Sequence, residues 1–358
     1  MIQKSKKRIL FLGETYRADA ITWIRGLEEF GDFEVLTWEL KSASTGVSRI
    51  KRLLELFKTF FTINRIAKQF KPDMVIAERT TSYGFLASIC GIKPIAIAQQ
   101  GISDLWPENS PLYYLKKILQ TIAFKKANII HAWGPVMAEH MKKSNVPEEK
   151  ILVLPKGINL NIFQYNKEKD FSKINAIVTR SLLPEYQHKV ILEAFAEIKK
   201  ENIPFSLTIV GDGILLDDLI KLSEELNIKE ETTFTGRIHN DELPKLLMRS
   251  NFYISMPTTE GVSASLFEAM ACGCFPIVSD LPGNRSWIKN HENGILIQCT
   301  DSKKLANEII NTEKNSNFQK KVIQQNRNFI EEHANYSVNM KIIADSYHQL
   351  INQKQQVK

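Results

Sequence analysis

The stretch TTEGVSASLFEAMACGCFPIVSD, residues 258 to 280, decides how the rest of the chain is read. It is preceded by FYISM (252 to 256) and contains FPIVS (275 to 279), two short apolar runs that read as buried strands. Between them a helix is expected from about Leu266 to Cys272, stopped by Gly273, a residue free to take the left-handed conformation at a helix end. Strand, helix, strand in this order is the unit of a parallel sheet. Ser265 followed three residues later by Glu268 fits a capping box, which would give Glu268 a local duty. Glu260 lies just beyond the first strand, where an exposed loop acid is ordinary and where open α/β sheets also place their ligands. The two acids are therefore either a working pair or two separate local devices.

Outward from this unit the same alternation recurs. RILFLG (8 to 13), EVLTW (34 to 38), MVIA (74 to 77), IAIAQ (95 to 99), NIIHA (128 to 132) and ILVLP (151 to 155) form one series of strands separated by helical segments. INAIVT (174 to 179), SLTIVG (206 to 211), TTFTG (232 to 236), FYISM, FPIVS and GILIQ (294 to 298) form a second. The expected architecture is α/β, two tandem Rossmann-like domains with parallel sheets facing an interdomain cleft. Residues 1–165 and 166–335 are assigned to the two domains, with QYNKEKDFSK (164 to 173) as a polar linker. Residues 336–358 form a helical tail able to cross back to the first domain. At 358 residues, two domains are also what the limits of a single hydrophobic core suggest.

Composition excludes several classes. Hydrophobic residues at 43% and charged residues at 24% are ordinary for a globular protein. No long uncharged apolar run is present and the N-terminus enters a strand too early for a secretory signal, so a cytoplasmic location is expected. Cys90, Cys272, Cys274 and Cys299 lack metal-site or CxxC spacing and read as reduced packing residues. No DxD occurs anywhere, so no metal site is suggested. Up to Asn166 there are 24 Lys and Arg against 15 Asp and Glu, a net charge of +9, whereas the remainder holds 23 against 25, a net of −2. The first half is thus expected to meet something anionic. No nucleic-acid recognition motif accompanies the charge.

In the second domain, the turns after successive parallel strands share one edge. Arg180, the Gly211-Asp212-Gly213 turn and Glu260 should therefore line one cleft. A guanidinium suits a diphosphate, helix N-termini near Gly213 and Ser265 add oriented N–H groups, and Glu268 could accept from two ribose hydroxyls. Each also has a plain alternative, a surface ion pair for Arg180 and a tight turn for the glycines.

The order of PKGINLNIF (155 to 163), VTRSLLPEYQHKVILEAF (178 to 195), LTIVGDG (207 to 213), FTGRI (234 to 238) and EGVSASLFEAMACG (260 to 273) resembles the family 4 glycosyltransferases, retaining enzymes of GT-B fold. The resemblance spans the second domain; in the first it rests more loosely on residues 72 to 104. It implies a nucleotide-sugar donor, a glycan or glycolipid acceptor and no cofactor. It also implies that Glu268 holds the donor ribose and Glu260 the donor sugar, with Gly261, Val262 and Ser263 bordering that sugar. Arg180 and a nearby lysine would neutralise the diphosphate, Gly213 would lie beside it, and Gly236, Arg237 and Ile238 would border the base. Gly13 would serve the donor from the first domain, and Gln100 and Asp104 would stand on the acceptor side.

The departures are specific. The family lysine is missing from its usual place in PEYQHK, leaving Lys189, His188 or Tyr186 for that role. The loop after the first strand keeps Gly13 but lacks a glycine pair, and Gln100 replaces a histidine, so it cannot act as a base. The expected activity is metal-independent, retaining transfer of a hexose or N-acetylhexosamine from a nucleoside diphosphate sugar, UDP before GDP, to a hydroxyl acceptor in bacterial surface polysaccharide or glycolipid synthesis. A noncatalytic sugar-nucleotide or partner-binding protein of the same fold is the alternative. A dehydrogenase is disfavoured because no GxGxxG follows an opening strand. Basic, apolar-striped segments 49 to 71 (Ile50, Leu53, Leu54, Phe57, Phe61) and 112 to 128 suggest peripheral docking on an anionic membrane.

Overall fold

The computed structural model describes residues 6–41, 48–99, 101, 103–105, 109–239 and 241–356. The chain forms two compact units, residues 1–156 with 336–358, and residues 157–335. The first contains β1 (Lys7–Leu12), α1 (Ala18–Gly31), β2 (Phe33–Trp38), α2 (Ser48–Phe70), β3 (Met74–Glu78), α3 (Gly84–Ile89), β4 (Ile95–Ala98), α4 (Tyr113–Lys126), β5 (Ile129–Ala132), α5 (Pro135–Lys143) and β6 (Ile151–Val153). The second contains β7 (Ile174–Thr179), α6 (His188–Lys200), β8 (Phe205–Val210), α7 (Leu216–Glu225), β9 (Thr232–Gly236), α8 (Leu243–Arg249), β10 (Phe252–Ser255), α9 (Ala264–Ala271), β11 (Phe275–Ser279), α10 (Pro282–Arg285), β12 (Ile295–Ile297), α11 (Ser302–Lys314) and α12 (Ser316–His333). A last helix, α13 (Tyr336–Gln356), belongs to the first unit.

Each unit is one six-stranded parallel sheet, ordered β2-β1-β3-β4-β5-β6 and β12-β11-β10-β7-β8-β9. Every residue of β3, β4, β10 and β11 is buried, as strands covered by helices on both faces must be. In both sheets the strand order reverses beside the first strand, between β1 and β3 and between β7 and β10. Loops leaving the carboxyl ends at such a reversal diverge to opposite faces and open a crevice, the usual ligand position in α/β sheets.

Helix α13 packs along α1 at two glycines. A Cβ at Gly26 would lie 2.6 Å from Met340 Cε, and one at Gly31 would lie 2.9 Å from Ala344 Cβ. Tyr336 Oη donates to Thr22 O at 2.8 Å, and Asn339 Nδ2 to Pro155 O at 2.9 Å. Tyr347 reaches through to His131 Nε2 at 2.6 Å in the core, where burial pushes the imidazole down to about 3 and keeps it neutral.

The polar stretch 164–173, read from sequence as a linker, is integral to the second unit. Tyr165 and Phe171 pack against its core, and the Lys169 ammonium is buried. Lys169 Nζ donates to the carbonyls of Leu247 (3.2 Å), Ser250 (2.5 Å), Cys272 (2.8 Å) and Gly273 (2.7 Å). These carbonyls lie at the C-terminal ends of α8 and α9, so one side chain ties two helix ends together. All four cysteines are free thiols.

Candidate functional site

In the second unit the crevice between β7 and β10 is shaped by glycines. A Cβ at Gly211 would fall 2.2 Å from Arg180 O, and one at Gly213 would fall 2.4 Å from Leu182 O. Only residues without a Cβ let the turn after β8 lie this close to the loop after β7. Leu182 N donates to Asp212 O at 3.0 Å and Leu215 N to Leu182 O at 3.1 Å, locking the two loops together. Thr258 N donates to Glu185 O at 2.8 Å, joining the loop after β10 to the same assembly. Gly283, which sequence reasoning did not single out, performs the third close approach: its Cβ would lie 2.3 Å from Glu260 O.

Arg180 occupies the centre. Its Nε donates to Ser255 Oγ at 3.1 Å, and its Nη2 donates to both Glu260 Oε2 and Ser263 Oγ. The Tyr186 ring lies under the guanidinium, 5.5 Å from centroid to Cζ. With side chains only 15% and 12% exposed, Arg180 and Glu260 form a largely desolvated ion pair rather than a surface one. The other Glu260 oxygen accepts from Gly261 N at 3.2 Å. Arg180, Glu260 and Ser263 are thus brought together directly, and Gly261 and Val262 lie in the same loop.

The capping expectation is corrected by the structure. Helix α9 begins at Ala264, its N-cap is Ser263, and the Ser263 hydroxyl accepts from Leu266 N at 3.2 Å. Ser265 is inside the helix and Glu268 lies two residues past Leu266, the place of a capping-box acid, so the local duty assigned to that acid is absent. Among the described residues the Glu268 carboxyl has no hydrogen-bond partner. Burial raises its carboxyl to about 7, against the opposing pull of the Arg180 charge. The helix expected at Gly213 begins instead at Leu216.

A hollow of about 230 Å³ adjoins Arg180 and the first turn of α9, lined by Thr179, Arg180, Gly211, Arg237, Ile238 and Ser265 among others. Gly236 takes φ +66, a conformation that turns the chain so Arg237 and Ile238 reach this hollow. Lys189 is not brought to Arg180. It stands on α6 with its side chain 70% exposed and pairs with Glu193 at 3.8 Å. His188 is buried at the start of α6, where burial pushes its imidazole down to about 4 and leaves it uncharged at neutral pH. Of the three, Tyr186 is the one whose ring lies against the Arg180 guanidinium, while the His188 imidazole lies beside the Arg180 backbone.

Gly13 and Asp104 belong to the first unit. Gly13 N donates to Trp38 O at 3.1 Å, and Asp104 Oδ2 accepts from Thr80 N at 2.7 Å and Thr80 Oγ1 at 2.9 Å. Gln100 lies outside the described residues, as do the side chains of Ile50, Leu53, Leu54 and Phe57. Phe61 is exposed, and on α4 Tyr114, Leu115 and Ile118 are exposed while Leu119 and Phe124 face the core. No helix among the described residues is long and apolar enough to cross a membrane.

Comparison with known proteins identifies the family and the fold. The model for glycosyl transferases group 1 matches residues 161–329, and that for glycosyl transferase 4-like proteins matches residues 20–132. An uncharacterized glycosyltransferase of Methanocaldococcus jannaschii is 24% identical over 253 residues, 68% of this chain and 64% of that protein. The chain thus spans a little under two thirds of that relative. The UDP-Gal:alpha-D-GlcNAc-diphosphoundecaprenol alpha-1,3-galactosyltransferase of Escherichia coli is 25% identical over 301 residues, 79% of this chain and 76% of that protein. Among solved structures, Anabaena HepE in complex with UDP superposes with a TM-score of 0.77 at 15% identity, covering 97% of this chain and 100% of that one. With both sheets, both switch points and both family models in agreement, the chain belongs to the group 1, family 4-like glycosyltransferases and has the GT-B fold.

Proposed function

We propose that the protein is a retaining glycosyltransferase that moves a hexose or N-acetylhexosamine from a UDP-sugar to a hydroxyl of a lipid-linked glycan. The observation that carries this reading is a free, half-buried carboxyl at Glu268 beside the Arg180 guanidinium, at the sheet edge where ligands bind. UDP is supported by the UDP complex of the Anabaena neighbour, and the acceptor class by the name of the Escherichia coli relative. In this reading Glu268 accepts from the ribose hydroxyls and Gly236 to Ile238 border the base. Arg180 stays held by Ser255, Glu260 and Ser263 and presents its remaining guanidinium donors to the diphosphate, helped by the Ser263 end of α9 and by Arg237. Glu260 keeps Oε2 on Arg180 and offers Oε1 to the hydroxyls of the transferred sugar. The departing phosphate receives the acceptor proton, and the arginines carry its charge without a metal.

The test is thermal denaturation with UDP, GDP and their sugars. A nucleotide at 100 times its dissociation constant should stabilise the chain by roughly 2.7 kcal/mol. Glu268→Gln should leave the melting temperature of the free protein nearly unchanged and weaken UDP-glucose binding about 10- to 150-fold, the loss of a charge-assisted hydrogen bond. Because the wild-type carboxyl ionises near 7 and the UDP-glucose diphosphate does not titrate there, wild-type affinity should tighten about tenfold as pH rises from about 6 to about 8. The Gln variant should bind equally across that range. Retention of full UDP-glucose affinity by the variant would remove Glu268 from the donor site.

We also propose that the enzyme works at an anionic membrane surface through α4. That helix contains Lys116, Lys117, Lys125 and Lys126 and no acid, and it exposes Tyr114 (73%), Leu115 (41%) and Ile118 (57%). Apolar side chains that enter the lipid interface, flanked by lysines that each contribute about 1 kcal/mol near anionic headgroups, suffice for reversible attachment. In liposome sedimentation, binding should require anionic lipid, weaken with salt, and fall at least about tenfold when Leu115 and Ile118 are both changed to Ser. Equal binding to neutral vesicles would contradict it.

A further inference from the structure

The switch point of the first unit holds a second cluster that the donor chemistry does not use. Glu78 closes β3 and is wholly buried; Gly13 and Glu14 follow β1 directly beside it. The approach is tight, since a Cβ at Gly13 would lie 2.8 Å from Glu78 Cβ and 3.0 Å from Glu78 Oε2. Glu78 Oε2 accepts from Glu14 N at 3.0 Å, which pins the loop Gly13 to Arg17 over the carboxyl. Glu78 Oε1 has no partner among the described residues.

The neighbouring groups sharpen the imbalance. Arg79 Nη2 donates to Glu14 Oε2 at 2.7 Å, and Arg17 Nη1 approaches the same oxygen at 3.5 Å. Lys156 Nζ is 3.0 Å from Asp19 O and 3.9 Å from Asp19 Oδ2, and lies over the Trp133 ring. Glu14 and Asp19 therefore have cations of their own, while Glu78 has only a backbone amide. Arg79 sits at φ +76, an unfavourable conformation for a side chain of its size, and its buried Nε–H also has no partner among the described residues. A free acceptor and a free donor on adjacent residues at a sheet switch point are costly to the fold, and together they match a hydroxyl, which both donates and accepts.

Resting on the glycosyltransferase reading, we propose that Glu78 and Arg79 receive a hydroxyl of the acceptor sugar, with Glu78 Oε1 accepting from it and Arg79 Nε–H donating to it. The roof over the pair is the loop Gly13 to Arg17, whose Tyr16 is largely exposed, so admission of the sugar requires that loop to lift. Burial, with the Asp19 charge adding to it and the Glu14 N–H, Lys156 and Arg17 opposing it, raises the Glu78 carboxyl to about 7, so its accepting strength changes near neutral pH.

Glu78→Gln tests this, because the amide oxygen can still hold Glu14 N and so keep the loop in place. The probes are UDP-glucose and UDP-galactose, with a short-chain polyprenyl diphosphate N-acetylglucosamine as acceptor. The variant is expected to keep the melting temperature and UDP-sugar affinity of the wild type while kcat/KM for the acceptor falls about 10- to 150-fold. At saturating donor, wild-type kcat/KM for the acceptor should climb as pH rises through about 7, and the variant profile should be flat. An unchanged kcat/KM for the acceptor would mean that an internal water alone fills the site. Joint loss of melting temperature and UDP-sugar affinity would make Glu78 a support for the loop, and either result overturns the proposal. No transfer by the wild type to this acceptor overturns it as well. Absence of UDP-sugar binding by the wild type is the separate failure of the donor reading.

Discussion

Arg180→Met is expected to lower sugar transfer by about 100- to 1000-fold, the usual consequence of deleting a preorganised donor for developing charge. Several effects converge on this residue. Its guanidinium is held by Ser255, Glu260 and Ser263 and backed by Tyr186, so its geometry is set before any ligand arrives. The Lys189 side chain pairs away with Glu193 and His188 is held uncharged, so neither takes over its role. Arg180→Lys should also transfer poorly, because an ammonium keeps the charge and loses the planar fork. Loss of the arginine also strands the Glu260 carboxylate, so Arg180→Met should melt at a lower temperature. The double variant Arg180→Met/Glu260→Gln removes the stranded charge; it should recover much of the stability and none of the transfer. If transfer recovers along with stability, Arg180 is a structural residue and the diphosphate is held elsewhere. The measurements are melting temperature and initial rates from a UDP-sugar, side by side for the three variants.

The second large effect is remote from the reacting atoms. Lys169→Ala is expected to destabilise the second unit by about 2 to 5 kcal/mol, since a buried acceptor left without its donor costs about 1 to 3 kcal/mol and several are stranded at once. Four carbonyls at the ends of α8 and α9 would lose their shared ammonium, and the space vacated is enclosed by Leu247, Cys272 and Cys274. Chemical denaturation followed by tryptophan fluorescence, with UDP affinity measured at a temperature where the variant is folded, checks the claim. A change below about 1 kcal/mol would mean that water replaces the ammonium at those carbonyls.

These residues also mark where the sequence was legible. Buried parallel strands are nearly continuous apolar runs, so INAIVT, FPIVS and their counterparts stand out, and the strands lie where those runs do. The positions of Arg180 and Glu260 followed from topology alone, since residues just past parallel strands share one edge. Lys169 was hidden because its segment is polar in composition, and composition does not reveal that four backbone carbonyls converge on one side chain. The start of α9 was misread by two residues: SAS offers two serines, and the choice of Ser263 over Ser265 depends on where the loop after β10 delivers the chain. Gly283 carried no signal beyond a Pro-Gly pair after a strand, because its partner, the Glu260 carbonyl, is distant in sequence. Glu78 stands one residue past the run MVIA and carried no signal of its own, because its missing partner is a property of the fold.

The central claim is that the second unit binds the donor nucleotide between Arg180 and Glu268, and a crystal structure of the protein with UDP tests it most directly. The account predicts the ribose hydroxyls within hydrogen-bonding distance of Glu268, the diphosphate on Arg180 near the start of α9, and the base beside Gly236 to Ile238. UDP bound elsewhere, or bound here with Glu268 turned away from the ribose, would contradict it.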